Sequence, residues 1–359
     1  MTALRFSGPV LPDGDTRDVY VVDGRITFER QPGAETAARG WIVPGLVDAH
    51  NHLGLEDTGA VSDEETERQA LADRAVGALL LRDCGSPADT RWVHEREDLP
   101  RLVRAGRHIA RTRRYLRDYG HEVEPADLVA CTVREAQAGD GWVKLVGDWI
   151  DREAGDLTPS FPAESFAAAI SAAHEHGAKV TAHCFGRDVL PALLDAGIDC
   201  IEHGTGLSLE HVEQMAARGV ALVPTVMQTA KFPAFARDGR AKFPAYATTM
   251  EDLYARRREV LMSAHEAGVA MYVGSDGGGP ARHGHLPGEV LAMVEMGLPA
   301  DYVLGAASWR AREWLGWNSG LEEGAPADFV VYDADPLADL SVLYRPACVV
   351  LRGRVVETA

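Results

Sequence analysis

The sequence predicts a (β/α)8 barrel flanked by a small β-sandwich that both termini build. Three observations carry this reading. Eight short apolar runs, at 43–50, 77–83, 107–112, 142–147, 178–184, 198–202, 220–226 and 270–275, alternate with helical patterns, and they fill a length close to the ~250 residues typical of such barrels. Several helical stretches end in a glycine just before the next run, at Gly177, Gly197, Gly219 and Gly268, the stop signal of a helix-to-strand turn. No Gly-x-Gly-x-x-Gly follows the first run, which disfavours an open, doubly wound sheet.

The ends of the chain read differently. Two alternating runs flank Asp23-Gly24, and a similar pair flanks Arg352-Gly353; two-residue loops of this kind mark β-hairpins. A further strand is expected at 327–332, before Asp335-Pro336. The expected division is sandwich over 1–43, barrel over 44–322, and sandwich again over 323–359.

Composition narrows the function. Acidic residues outnumber basic ones 54 to 36, for a net charge of −18, the opposite of the basic surface that nucleic acid selects. No apolar run approaches the ~20 residues of a membrane span, and the first eight residues lack the apolar core of a signal peptide. The five cysteines, at 84, 131, 184, 200 and 348, are scattered and form no Cys-x-x-Cys. Reduced thiols and a cytoplasmic location are therefore expected. The expected partners are a small-molecule substrate and, in a homo-oligomer, further copies of the chain.

Chemistry-bearing residues gather where the runs end. The first run stops at His50-Asn51-His52; on a strand, side chains two apart share a face, so the two imidazoles project together. Neutral imidazole suits zinc, iron and nickel. Lys144, one of only four lysines, sits inside the fourth run; His183 ends the fifth, His203 ends the sixth, and Asp276 follows the eighth. Each has an ordinary alternative: a core histidine, a turn cap, a lysine that snorkels outward. Six such groups at the end of a barrel where catalytic residues collect point instead to one site.

The stretch 230–249 holds Lys231-Phe-Pro-Ala-Phe-Ala236 and Lys242-Phe-Pro-Ala-Tyr-Ala247. It shows neither helical nor strand period, and a long loop over the barrel mouth is expected, either a lid or an inert insertion. His174 and His176 repeat the His-x-His spacing on a helix, where positions two apart diverge, and read as structural. His94, His108, His211 and His265 read as surface or core.

Taken together, Pro44-Gly-Leu-Val-Asp-Ala-His-Asn-His52, Val143-Lys-Leu145, Ala182-His183, Glu202-His203-Gly204 and Gly274-Ser-Asp-Gly277 resemble the motifs of the amidohydrolase superfamily. Within it the chain is most similar to the imidazolonepropionase-related, prolidase-like branch, through Ala173-His-Glu-His-Gly-Ala-Lys-Val-Thr-Ala-His183 and Val223-Pro-Thr225. The resemblance implies two divalent metal ions, with zinc as the default. His50, His52 and Asp276 would bind one ion and His183 and His203 the other. Lys144, carboxylated at its side-chain nitrogen by carbon dioxide, would bridge them. It further implies hydrolysis of an amide in an N-acyl amino acid or dipeptide by a metal-bridging hydroxide, with Asp276 as general acid and base. Lactone, phosphotriester or carbamate hydrolysis is the alternative on the same metals; a one-metal deaminase or an inactive scaffold lies further off. His121 is expected to face the substrate, with Arg113, Arg114, Tyr115, Gln228 and His283 as further binding candidates. One departure is plain: where prolidase-like members carry a carboxylate-binding tyrosine after strand seven, this chain has Met227-Gln228.

Overall fold

The computed structural model describes residues 3–357. Strands Leu46–Asn51, Ala78–Asp83 and Arg101–Arg104 form one parallel sheet, and Ile109–Arg111, Trp142–Val146, Lys179–Cys184, Cys200–His203 and Ala221–Val223 belong to a second. An extended segment closes the ring between them: the amide of Tyr272 donates to Leu222 (3.0 Å) and that of Ala49 to Val273 (2.8 Å). This is the expected barrel. Its strands are buried on both faces, as strands covered by helices must be.

The third run is divided. Arg101–Arg104 pairs with Ala78–Asp83, whereas Ile109–Arg111 pairs with Trp142–Val146. The expected strand at 107–112 caught only the second half, because Leu102-Val103 is a two-residue apolar core between arginines and too short to show alternation.

The termini share one mixed eight-stranded sheet. Trp41–Pro44 pairs antiparallel with Phe329–Tyr332, joining the two ends of the chain. Asp23 (φ 49°) and Gly24 (φ 79°) form one hairpin turn, and Arg352 (φ 50°) and Gly353 (φ 76°) the other, the paired left-handed residues such turns require. The two turns lie against each other: a Cβ on Gly353 would meet the Gly24 Cα at 2.2 Å. Their sequence likeness thus reflects one shared contact.

The 230–249 stretch corrects the expectation of a loop. Phe232–Gly239 and Pro244–Glu266 are helices, and each Phe-Pro pair marks a helix start. Proline is favoured in the first turn, where its missing N–H has no partner to lose. These helices pack on the hairpin Asp148–Asp151/Asp156–Pro159 around Leu157, Phe185, Phe232 and Met250, forming a cap with its own small core. Among the described residues no helix is long and apolar enough to cross a membrane.

Candidate metal centre and substrate cavity

At the barrel mouth the strand-one pair behaves as its spacing requires. His50 and His52 bring their Nε2 atoms to 3.1 Å of each other, and Asp276 Oδ1 lies 3.1 Å from the first and 3.3 Å from the second. The three offer ligand atoms within 4.8 Å of one another, able to hold a metal ion. Asp276 reaches this point because its amide donates to His50 O (2.8 Å), and because its own backbone is left-handed (φ 54°). Behind it, Asp48 accepts from the Ser275 amide (2.9 Å) and from Asn51 (3.0 Å), tying strand one to the closing segment.

Three of the four imidazoles are aimed by a partner on the far nitrogen. His50 Nδ1 meets Glu202 (2.6 Å), His52 Nδ1 the carbonyl of Gly85 (2.7 Å), and His203 Nδ1 the Thr225 hydroxyl (2.6 Å). In all three cases Nε2 is left for the site, the arrangement that orients metal-binding histidines. Glu202 is itself fixed by Arg82 (2.6 Å) and the Thr181 hydroxyl, and Arg82 lies between Trp142 and Trp314, 4.7 and 4.9 Å from their ring centres. Thr225 (φ 43°) is held by Glu289, which accepts the amides of Val226 and Met227. His183 lies beside His203, with ring centres 4.6 Å apart, and its buried Nε2 has no hydrogen-bond partner. Lys144, 2% exposed, lines the same cavity.

The electrostatics suit a cation. Burial, against the pull of Asp276, pushes His203 down to about 3, and burial with the neighbouring His203 and Lys144 takes His183 well below its ordinary value. Both imidazoles are thus neutral at pH 7, the form in which histidine can ligate a metal. Burial and Lys144 oppose a proton on His50, yet Glu202 and Asp276 raise its pKa; two carboxylates favour positive charge between them, a demand that a metal ion meets. The convergence of the His50 and His52 Nε2 atoms on Asp276 and this charge demand fit divalent metal.

The candidate binding residues divide. Tyr115 and Gln228 line the cavity of about 440 Å³ above the histidines. His121 is turned away, bonded to Glu135 (2.8 Å). Arg113 is exposed, and Arg114 is engaged in the cap hairpin, donating to Asp151 (3.0 Å) and Thr158 (2.6 Å). His283 pairs with Asp73 (2.8 Å) and faces a neighbouring cleft. These four are not among the residues lining the cavity: bonds to carboxylates and carbonyls claim His121, Arg114 and His283, and Arg113 faces solvent. His108, read as surface or core, is instead in the cavity wall, 5.5 Å from His52 between ring centres, with both nitrogens buried and unpartnered. Glu202 and Thr225 stood in the motifs of the sequence reading, but the positioning parts of Glu202, Thr225 and Glu289 were not assigned there, because each depends on a partner far away in the chain.

Residues 41–356 match the model of the amidohydrolase family, and the chain belongs to that family. An uncharacterized protein of Mycobacterium tuberculosis is 50% identical over 353 residues, covering 98% of this chain and 95% of its own. Among solved structures, a Xaa-Pro dipeptidase with bound methionine in its active site shares the fold with a TM-score of 0.82 at 21% identity, over 99% of this chain and 100% of that one. A putative prolidase from Bifidobacterium longum matches with a TM-score of 0.82 at 23% identity, over 99% and 94%.

Proposed function

We propose that the chain is a metal-dependent hydrolase that cleaves the C–N bond of a small amide. The observation that carries this reading is the convergence of His50, His52 and Asp276 on one point, with His183, His203 and Lys144 around the same cavity. His50, His52 and Asp276 would hold one divalent ion, and His183 and His203 a second. Lys144 would join them as a carbamate: its amine adds to carbon dioxide, an N–C bond forms, and one proton is released. Solved relatives named as a dipeptidase and a prolidase share the fold, which agrees with amide chemistry.

Bound there, the ions would supply Lewis acidity toward a carbonyl and lower the pKa of water. The protein's part is positional. Glu202 keeps the proton of His50 on Nδ1, Thr225 orients the His203 ring, and Asp48 holds strand one and the Asp276 segment in register. Asp276, within reach of both strand-one imidazoles, is placed to accept a proton from the attacking water and return it to the leaving nitrogen. An amide nitrogen leaves only once protonated, so a carboxylate at this point serves both halves of the reaction.

Metal analysis after loading with zinc and bicarbonate tests the reading. Two equivalents per chain and hydrolysis within an amide panel are expected, with both reduced in Lys144→Ala. Absence of bound metal, or a Lys144→Ala variant with two ions and full turnover, would overturn it.

A further inference from the structure

We infer that the substrate is an uncharged amide carrying an aromatic or branched apolar group, and that a carboxylate-bearing amide is a poor fit. This rests on the hydrolase reading and adds its substrate class. The cavity wall above the histidines is built from two sources. The hairpin contributes Trp149 and Ile150, and the cap helices contribute Phe235, Phe243 and Tyr246. Trp149 stacks edge-on to Tyr115 at 4.8 Å and lies 5.5 Å from the His183 ring, so the aromatic surface begins where the metal ligands end.

Cationic partners for a substrate carboxylate are scarce along this wall. No arginine lines it among the described residues; Arg114 is consumed by the hairpin and Arg113 faces solvent. Lys144 belongs to the metal cluster. The remaining lysine, Lys242, is exposed at the rim, 5.1 Å from the Phe243 ring centre, and shares that rim with Asp238. A carboxylate held against this wall, away from the ions the histidines would bind, would lose water and meet only the exposed Lys242, a large penalty for a charged group. An amide meets the opposite situation. His108, in the same wall, has no hydrogen-bond partner on either nitrogen; Nδ1 packs against Gly85, and Nε2 is the atom that could meet an amide N–H or C=O.

Two compounds that differ only in the carboxylate separate the possibilities: N-acetylphenylalanine and N-(2-phenylethyl)acetamide. Calorimetric binding to the zinc-loaded protein should favour the neutral amide by at least ~10-fold. Phe243→Ala should weaken that binding about 10-fold with the metal content unchanged. Equal or tighter binding of the carboxylate compound overturns the inference, as does binding of neither. Because binding is read without turnover, a protein that takes up the neutral amide and hydrolyses no amide rejects the hydrolase reading alone. One that cleaves the carboxylate compound preferentially rejects the substrate class alone.

Discussion

The two halves of the barrel mouth are built on different principles. On the histidine side, hydrogen bonds set three of the four imidazoles: Glu202 behind His50, Gly85 behind His52, Thr225 behind His203. His203 and Thr225, and Asp276 beside them, sit in left-handed backbone, uncommon for non-glycine residues and worst for a β-branched threonine. On the cap side, aromatic contacts predominate, such as Phe185 with Phe232 at 4.7 Å between ring centres. Directional bonds fix reacting groups to fractions of an ångström. Apolar packing fixes volume and polarity, and tolerates change of shape more readily. On the proposed reading, the difference gives the chemistry to one half and selectivity to the other.

The hardest test of that division is Asp276→Asn. If the chemistry lies wholly on the metal side, turnover should fall by ~10²–10⁴ while calorimetric binding of the neutral amide stays within about twofold. Near-normal turnover with metal retained would remove Asp276 from its role.

A smaller effect is expected from Glu289→Gln, one step further from the ions. The amide offers a donor where the Val226 and Met227 N–H groups both need an acceptor, so Thr225 and, through it, His203 lose their positions. Affinity for one of the two ions should drop ~10–100-fold, visible in a chelator titration, with the other ion retained. Equal loss of both ions would show general unfolding instead.

The smallest effect concerns stability of the metal-free protein. Burial pushes Asp83 up to about 7 and Glu289 up to about 8. Between the unfolded and folded values the folded state binds more protons at these two carboxyls, so their contribution to stability falls as pH rises through 7 to 8. The buried neutral His183 and His203 act in the opposite sense only below their unfolded value of about 6.5, so the metal-free protein should melt at lower temperature at pH 8 than at pH 7, and Asp83→Asn should flatten the slope. A melting temperature that rises over this range would contradict the burial argument.

What could be read from the sequence was whatever depends on local period. His50 and His52 share a face because strand side chains alternate, and the position of a residue at a strand end follows from the run that precedes it. Hairpin turns at Asp23-Gly24 and Arg352-Gly353 are legible for the same reason, since φ is a property of single residues. The helices at 232–239 and 244–266 were hidden because their apolar faces answer to the hairpin at 148–159, which lies far away in the chain. His121, Arg114 and His108 show the limit most clearly. Charge and spacing are equal guides to all three, yet two are claimed by neighbours and the third is left free in the cavity wall. The sequence by itself determined which groups stand at the barrel's mouth, because strand geometry is local. Only the tertiary structure decided which of them have partners, because a hydrogen bond or ion pair depends on what distant segments bring within about 3 Å.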